Sequence, residues 1–319
     1  MKQFLIIFAA VLLAASCQKK ESLRERAAEL TQYLPSESLQ ENAAQFLTPH
    51  LYAVLDTLYN KLPEHEAMDH EWLHYFVTSG GSALSGVQVT NVEESDDTHA
   101  VATLQVRTDP SDETSAFETH QLLMEKVNGQ WLLADFDNHL EDCQRHIALN
   151  QKEEALRQAI RDYLVREIGN GYNLGEICIP TLIIVAQDEN LEETQVDDNP
   201  VESQEYSQVW LDTWIDWFNV KEDTLKSVSG GHHSGLMKVE KKDGKPVVTS
   251  FDQVSDGSTF LPSAKRIFGD YFEQYQQIYS NDKLRDAARK EQVGEYVRQH
   301  QLPVTCYQDY GWPAVSLEK

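Results

Sequence analysis

Leu123-Met124-Glu125-Lys126-Val127-Asn128-Gly129-Gln130-Trp131 decides how the first half of the chain is read. Asn-Gly is the strongest short hairpin signal, because both central residues of a type I′ turn need positive φ. Phe117 to Lys126 therefore reads as one strand and Trp131 to Phe136 as its antiparallel return. Upstream, Asp109-Pro110-Ser111 is a polar break. Before it, Val101, Leu104 and Val106 mark another strand, Glu94 to Asp97 a turn, and Val87 and Val89 the start of the first strand. Further back the period becomes helical. Thr48 suits an N-cap and Pro49 the first helical position, where a missing N–H costs nothing. Leu51, Leu55, Leu58 and Leu62 then form one apolar stripe ended by Pro63. Leu23 to Leu34 reads as a shorter helix closed by Pro35, and Glu66 to Val77 as a further helix before Gly80-Gly81. Helices first and a curved antiparallel sheet after is an α+β layout.

The same order recurs downstream. Glu153 to Ile168 is an amphipathic helix (Leu156, Ile160, Leu164) ending at Gly169. Strands are expected over Ile177 to Ala186, Tyr206 to Phe218, Leu225 to Ser229 and Leu236 to Val239, with Asp243-Gly244 turning into Val247 to Phe251. Leu236-Met237-Lys238-Val239, Asp243-Gly244 and Ser250-Phe251-Asp252 echo Leu123-Met124-Glu125-Lys126, Asn128-Gly129 and Asp135-Phe136-Asp137 in order, which suggests duplication. Pro262 to His300 reads as two helices, with Ile267, Tyr271, Tyr275 and Ile278 on one face of the first. Leu302 to Trp312 is an aromatic tail expected to pack on the second domain. A chain of 319 residues with ordinary apolar content implies two cores rather than one.

Phe46-Leu47-Thr48-Pro49-His50-Leu51-Tyr52, opening the long helix, and Asn128-Gly129-Gln130-Trp131 with Ala134-Asp135-Phe136-Asp137, closing the sheet, carry a family likeness. Over roughly residues 38–138 the chain resembles the NTF2-like (cystatin-like) superfamily found in many Bacteroidetes lipoproteins. The resemblance implies a pocket between sheet and helices, and for the whole chain two tandem NTF2/cystatin-like units plus C-terminal helices. Such folds host isomerases, dehydratases and plain binding modules, so fold alone does not imply a reaction. The expected plan is a signal peptide over 1–16, a lipidated tether over 17–37, an NTF2-like domain over 38–150, and a second α+β domain with C-terminal helices over 151–319.

The N-terminus indicates a location. Lys2 is a minimal positive region and Phe4 to Leu13 an apolar run too short to span a bilayer permanently. Ala15-Ser16-Cys17 resembles a bacterial lipobox, although Ala14 stands where that family usually has leucine. The resemblance implies cleavage before Cys17 and acyl chains, palmitate among them, on that residue. Several chains together anchor firmly where one does not. The implied place is the cell envelope, on the outer membrane. Gln18-Lys19-Lys20-Glu21-Ser22 leaves the periplasmic and the outward side both open.

Composition narrows the partners. With 27 Lys+Arg against 52 Asp+Glu the formal net charge is −25, which repels phosphate backbones and argues against nucleic acid. Beyond Cys17, Cys143, Cys178 and Cys306 allow at most one disulfide and leave a free thiol.

Few residues suggest chemistry. His70-Glu71-Trp72-Leu73-His74 is a literal H-E-x-x-H, in which His70 and His74 would share a zinc one helical turn apart while Glu71 deprotonates bound water. Val77 stands where the metzincin extension wants glycine, and a third ligand would have to come from Glu93 or Glu94, placed at a hairpin turn. His232-His233, flanked by glycines, is expected in an exposed loop, and the acidic run from Asp188 to Glu202 in a solvated hairpin loop. Trp210 and Trp214 share one strand face with Asp212 and Asp216, while Trp217 takes the other. Core filling and an apolar pocket or partner edge are both open for the two tryptophans. No phosphate loop, G-x-S-x-G elbow or Cys/His dyad is present. The expectation is a non-enzymatic, membrane-anchored envelope lipoprotein that binds a small apolar ligand, a glycan or an envelope protein without a cofactor. The alternative is a zinc-dependent hydrolase using His70, Glu71 and His74.

Overall fold

A computed structural model describes residues 22–34, 38–62, 75–77, 84, 86–107, 109, 114–194 and 202–317. The leader with Cys17, and the segment holding His70, Glu71 and His74, lie outside the described residues. The chain is α+β, with antiparallel sheets and helices, and falls into two compact units divided between Gln151 and Lys152.

The first unit begins with α1 (Leu23–Thr31), capped by Ser22 and Glu25 in a reciprocal pair, and the short α2 (Ser38–Glu41) and α3 (Ala43–Phe46). In α4 (Pro49–Asn60) the Thr48 hydroxyl accepts from the Leu51 N–H at 3.2 Å, and Leu51, Leu55 and Leu58 are fully buried. Thr48→Ala is expected to cost about 1 kcal/mol, the usual worth of an N-cap. Urea denaturation of the full chain checks it as a lower midpoint at unchanged slope.

Four strands follow in sequence order: β1 (Gln88–Glu94), β2 (His99–Arg107), β3 (Phe117–Val127) and β4 (Gln130–Phe136). Asn128 and Gly129 have φ of +51° and +85°, as the type I′ turn requires. The inward face of β2 belongs to Ala100, Ala102, Leu104 and Val106, and period two puts Val101 on the opposite face. Of the expected helix over Glu66 to Val77 only Tyr75 to Val77 are described; Tyr75 and Phe76 are buried, and the Tyr75 hydroxyl donates to Asp135 at 2.5 Å.

Helix α5 (His139–Tyr163) starts well before the expected Glu153 and closes through a π turn over Leu164–Ile168 and a 3-10 turn over Gly169–Gly171. In the second unit β5 (Ile177–Thr194), β6 (Glu202–Lys221), β7 (Thr224–Lys242) and β8 (Lys245–Gln253) form an antiparallel meander. Asp243 and Gly244 make its last turn with φ of +52° and +77°. Helices α6 (Phe260–Phe268), α7 (Phe272–Tyr279) and α8 (Asp282–Gln299) follow, three where two were expected. In the tail, β9 (Cys306–Gln308) pairs parallel with the start of β7, and β10 (Val315–Ser316) pairs with β9.

Alternation along β6 divides two faces. Val209, Leu211 and Ile215 pack with Leu156, Ile160 and Leu164, while Trp210 and Phe218 point to the side of α6, α7 and α8. Edge strand β5 is covered by a side chain: the Gln292 amide of α8 donates to the Leu182 carbonyl and accepts from its N–H, both at 2.9 Å. At Leu182 the amide stands in for the strand partner that this edge lacks among the described residues.

Two expectations are corrected here. Gly230 to Gly235 is not a loop but the middle of β7, and the acidic stretch from Asp188 continues β5 as far as Thr194. Glycines and histidines suggest a loop because they pack a half-buried surface poorly. In this strand the glycines make room instead: a Cβ on Gly231 would meet the Tyr172 hydroxyl, and one on Gly235 the Asp252 carbonyl.

Candidate functional site

The helix-covered face of β5, β6 and β7 carries a grid of side chains set by register. Across the three strands run Ile183–Asp212–Ser234, Thr181–Trp214–His232 and Ile179–Asp216–Gly230. Both aspartates are 2% exposed, although they sit on a strand face among aromatics. Two buried carboxylates need partners, and α8 supplies them.

Arg285 and Arg289 stand one turn apart on α8. Arg285 Nε meets Asp212 at 3.3 Å, and Arg289 Nε donates to Asp216 at 2.8 Å. Four residues span about 13 Å on a strand and about 6 Å on a helix, so the long arginine side chains must fan out to reach both aspartates. The rest of the Arg289 fork donates to both oxygens of Asp309, at 2.6 and 2.7 Å, which ties the C-terminal tail to α8. The Trp214 indole N–H donates to Asp216 at 3.1 Å and fixes the ring plane.

Burial pushes the Asp216 carboxyl up to about 6, outweighing the Arg289 charge, and Asp309 adds to the rise. Burial also works against the charge of Arg289, yet its bonds to Asp309 and the attraction of Asp216 hold its pKa above the ordinary value. One guanidinium shared by two carboxylates therefore stays charged, while Asp216 takes a proton more easily than a free aspartate.

Asp212 has two further contacts, one of them backed by a third residue. The Ser234 hydroxyl donates to it at 2.8 Å, His232 Nε2 donates to the same oxygen, and the Tyr275 hydroxyl donates to Ser234 at 3.1 Å. Ser, His and Asp together invite comparison with a nucleophilic triad, but the geometry differs. Ser234 lies 3.2 Å from the same ring nitrogen that bonds Asp212, so the ring links no acid to a nucleophile through its two nitrogens. Ser234 is also buried. The cluster positions His232.

Beside this grid opens a cleft of about 820 Å³, bounded by β5, β6 and β7, by α8 and by the tail from Tyr307 to Val315. Trp214 on its floor is 36% exposed and Trp312 on its rim 71%. Thr181, also in the lining, is 3% exposed, and its hydroxyl has no hydrogen-bond partner among the described residues. Such orphaned buried groups are rare.

The two readings open for the tryptophans divide between them. Trp210 is core, its N–H donating to the Ile267 carbonyl at 2.8 Å and its ring against Tyr271, whereas Trp214 belongs to the cleft. His233 faces away from the cleft, with its ring on the Tyr172 hydroxyl and Gln253, and burial lowers its pKa. Cys143, Cys178 and Cys306 are free thiols, and burial raises the first two to about 11 and about 12. Neither is a ready thiolate nucleophile near neutral pH. Among the described residues no group of three or more His, Cys, Asp or Glu could hold a metal ion, and no helix is long and apolar enough to cross a membrane.

Arg285, Arg289, Asp309 and Thr181 escaped the sequence reading. The signal for the arginines was present, as an i, i+4 pair on a helix that also carries Asp282 and Asp286. Gly230 supports the site from beneath: a Cβ there would collide with the Ile215 carbonyl of β6 and press on the Asp216 carboxylate. Gly230→Ala is expected to cost about 1–3 kcal/mol, the range for overpacking. Thermal unfolding checks it, with Gly231→Ala milder because the Tyr172 hydroxyl can swing aside.

No family model, curated protein or solved structure matches the chain.

Proposed function

We propose that this chain is a lipid-anchored envelope protein whose second unit binds a small ligand in the cleft beside Trp214. In this reading both units are of the NTF2/cystatin-like kind, each a helix-backed antiparallel meander closed by a type I′ hairpin. Cys17 holds the protein on the outer membrane of a bacterial envelope.

One observation carries the binding reading. The cleft has aromatic walls and a buried hydroxyl in want of a partner, while its charged groups are largely engaged with one another. A concave site with a few convergent polar groups suits ligand recognition. Nucleophilic chemistry would need a base that holds acid and nucleophile through its two different ring nitrogens, whereas His232 meets both Asp212 and the buried Ser234 through Nε2.

The test has two arms. Full-length protein made in a Gram-negative host should incorporate labelled palmitate and fractionate with membranes, and Cys17→Ser should do neither; label persisting in that variant defeats the anchor. A thermal-shift panel of oligosaccharides, amino acids, nucleotides and fatty acids should contain compounds that stabilise the parent and not Trp214→Ala. Conversion of a bound compound to product would show an enzyme instead.

A further inference from the structure

We propose that the cleft takes a neutral oligosaccharide, an inference that rests on the cleft being a binding site. Its charge pattern selects against ions. The lining carries Asp212, Asp282, Asp286 and Asp309 against Arg285, Arg289 and Lys290, with His232 beside them. The buried members are already paired across β6, α8 and the tail. An anion entering would face the carboxylates and a cation the guanidinium groups, and either would have to disrupt pairs whose members are desolvated. The field of a chain with formal net charge −25 further disfavours anions at long range. A lipid chain is no better suited, since burying this lining under hydrocarbon would strip its polar groups of water without replacing hydrogen bonds.

A neutral ligand rich in hydroxyls meets none of these costs. Each hydroxyl both donates and accepts, so it bonds carboxylate and guanidinium edges without upsetting their pairing. The orphaned Thr181 hydroxyl wants such a partner, and it stands in the same cross-strand row as Trp214. The tryptophans supply what the polar groups cannot, apolar ring surface for the C–H side of a sugar: Trp312 is 71% exposed, and Trp214 offers the part of its ring left open by Arg285, whose guanidinium sits 5.6 Å from its centroid. Trp214 is held in plane by its bond to Asp216, so little ordering is required on binding. Trp312 stands on the rim with Pro313 beside it. A volume of about 820 Å³ lies toward the upper end of small-molecule sites, roughly 300–1,000 Å³. That is room for several rings rather than one.

The experiment is calorimetric and fluorescence titration of the full chain with maltotetraose, cellotetraose, mannotetraose and chitotetraose. Trigalacturonate, a chitosan tetramer and tetra-alanine serve as anionic, cationic and peptide comparators. At least one neutral tetrasaccharide should bind, quench tryptophan emission, and hold its affinity from 50 to 500 mM salt (roughly a threefold fall in Debye length). Trp214→Ala should weaken it at least tenfold, as should Trp312→Ala, an exposed position where the fold is not at risk, and Thr181→Val should weaken it measurably. Binding of a charged comparator or the peptide in place of the neutral sugars, abolished by Trp214→Ala, would overturn the saccharide assignment and leave the cleft as the site. Silence from every probe would also overturn the assignment. A saccharide whose affinity is unchanged in both tryptophan variants would overturn the cleft itself.

Discussion

Replacing Arg289 by methionine is expected to lower the stability of the second unit by about 3–5 kcal/mol, the range for removing one partner of a buried ion pair. The reason is asymmetry rather than the strength of the pair. Methionine keeps most of the volume and the contact with Tyr307, over whose ring the guanidinium sits at 4.9 Å. Asp216, however, remains 2% exposed with the Trp214 N–H as its one remaining hydrogen bond among those described, and Asp309 loses a bidentate donor. At about 2–4 °C per kcal/mol for a unit of this size, the melting temperature should fall by roughly 6–20 °C. Arg289→Lys should fall between parent and methionine variant, because an ammonium keeps the charge but loses the fork that reaches two carboxylates at once. Thermal unfolding followed by near-ultraviolet circular dichroism reads all three. A methionine variant that melts with the parent would show that Asp216 is not stranded as described, and that the tail is held by β9 alone.

The elements that were legible in the sequence are those whose signal is local. Thr48-Pro49, Asn128-Gly129 and Asp243-Gly244 each impose backbone geometry within a few residues, and each does so where expected. The Leu51, Leu55 and Leu58 stripe needed only a helical period. What was missed depends on pairing between distant strands. Gly230-Gly231-His232-His233-Ser234-Gly235 has no apolar alternation of its own, and it is a strand because β6 pairs with it along its whole length. Its glycines are explained by atoms of β6, Tyr172 and β8, more than ten residues away in each case. The site was half visible for the same reason. The shared face of Asp212, Trp214 and Asp216 follows from period two, but that two arginines on α8 lie over that face is a tertiary fact. The Thr181 hydroxyl could not be found by any pattern, since its significance is the absence of a partner among the described residues.

Lowering the pH from 7.5 to 5.0 should stabilise the parent relative to Asp216→Asn. An aspartate titrates near 3.8 when unperturbed and near 6 at position 216, so between those values the folded chain holds a proton that the unfolded chain releases. Stability linked to this group is therefore fully present below about 3.8, and is lost as pH rises through about 6. The whole window is worth about 3 kcal/mol, and about half of it has been gained by pH 5.0. Stopping there keeps the protein above its sequence pI of about 4.7, where solubility is lowest. Absolute stability would mix in groups of the opposite sign. The Asp56 and Asp252 carboxyls are held below the usual range by hydrogen bonds to Lys61 and Arg266 respectively, and they favour the folded state at higher pH. Subtracting the Asp216→Asn curve cancels those shared contributions and leaves the single carboxyl. Urea midpoints at several pH values provide the curves. A difference that stays flat from pH 7.5 to 5.0 would mean that Arg289 wins over burial after all, with the aspartate ionised across the range. Because a free aspartate is already almost wholly ionised at pH 5.0, a folded pKa at or below 3.8 gives that same flat line, and the cleft would then rest on a permanent buried ion pair.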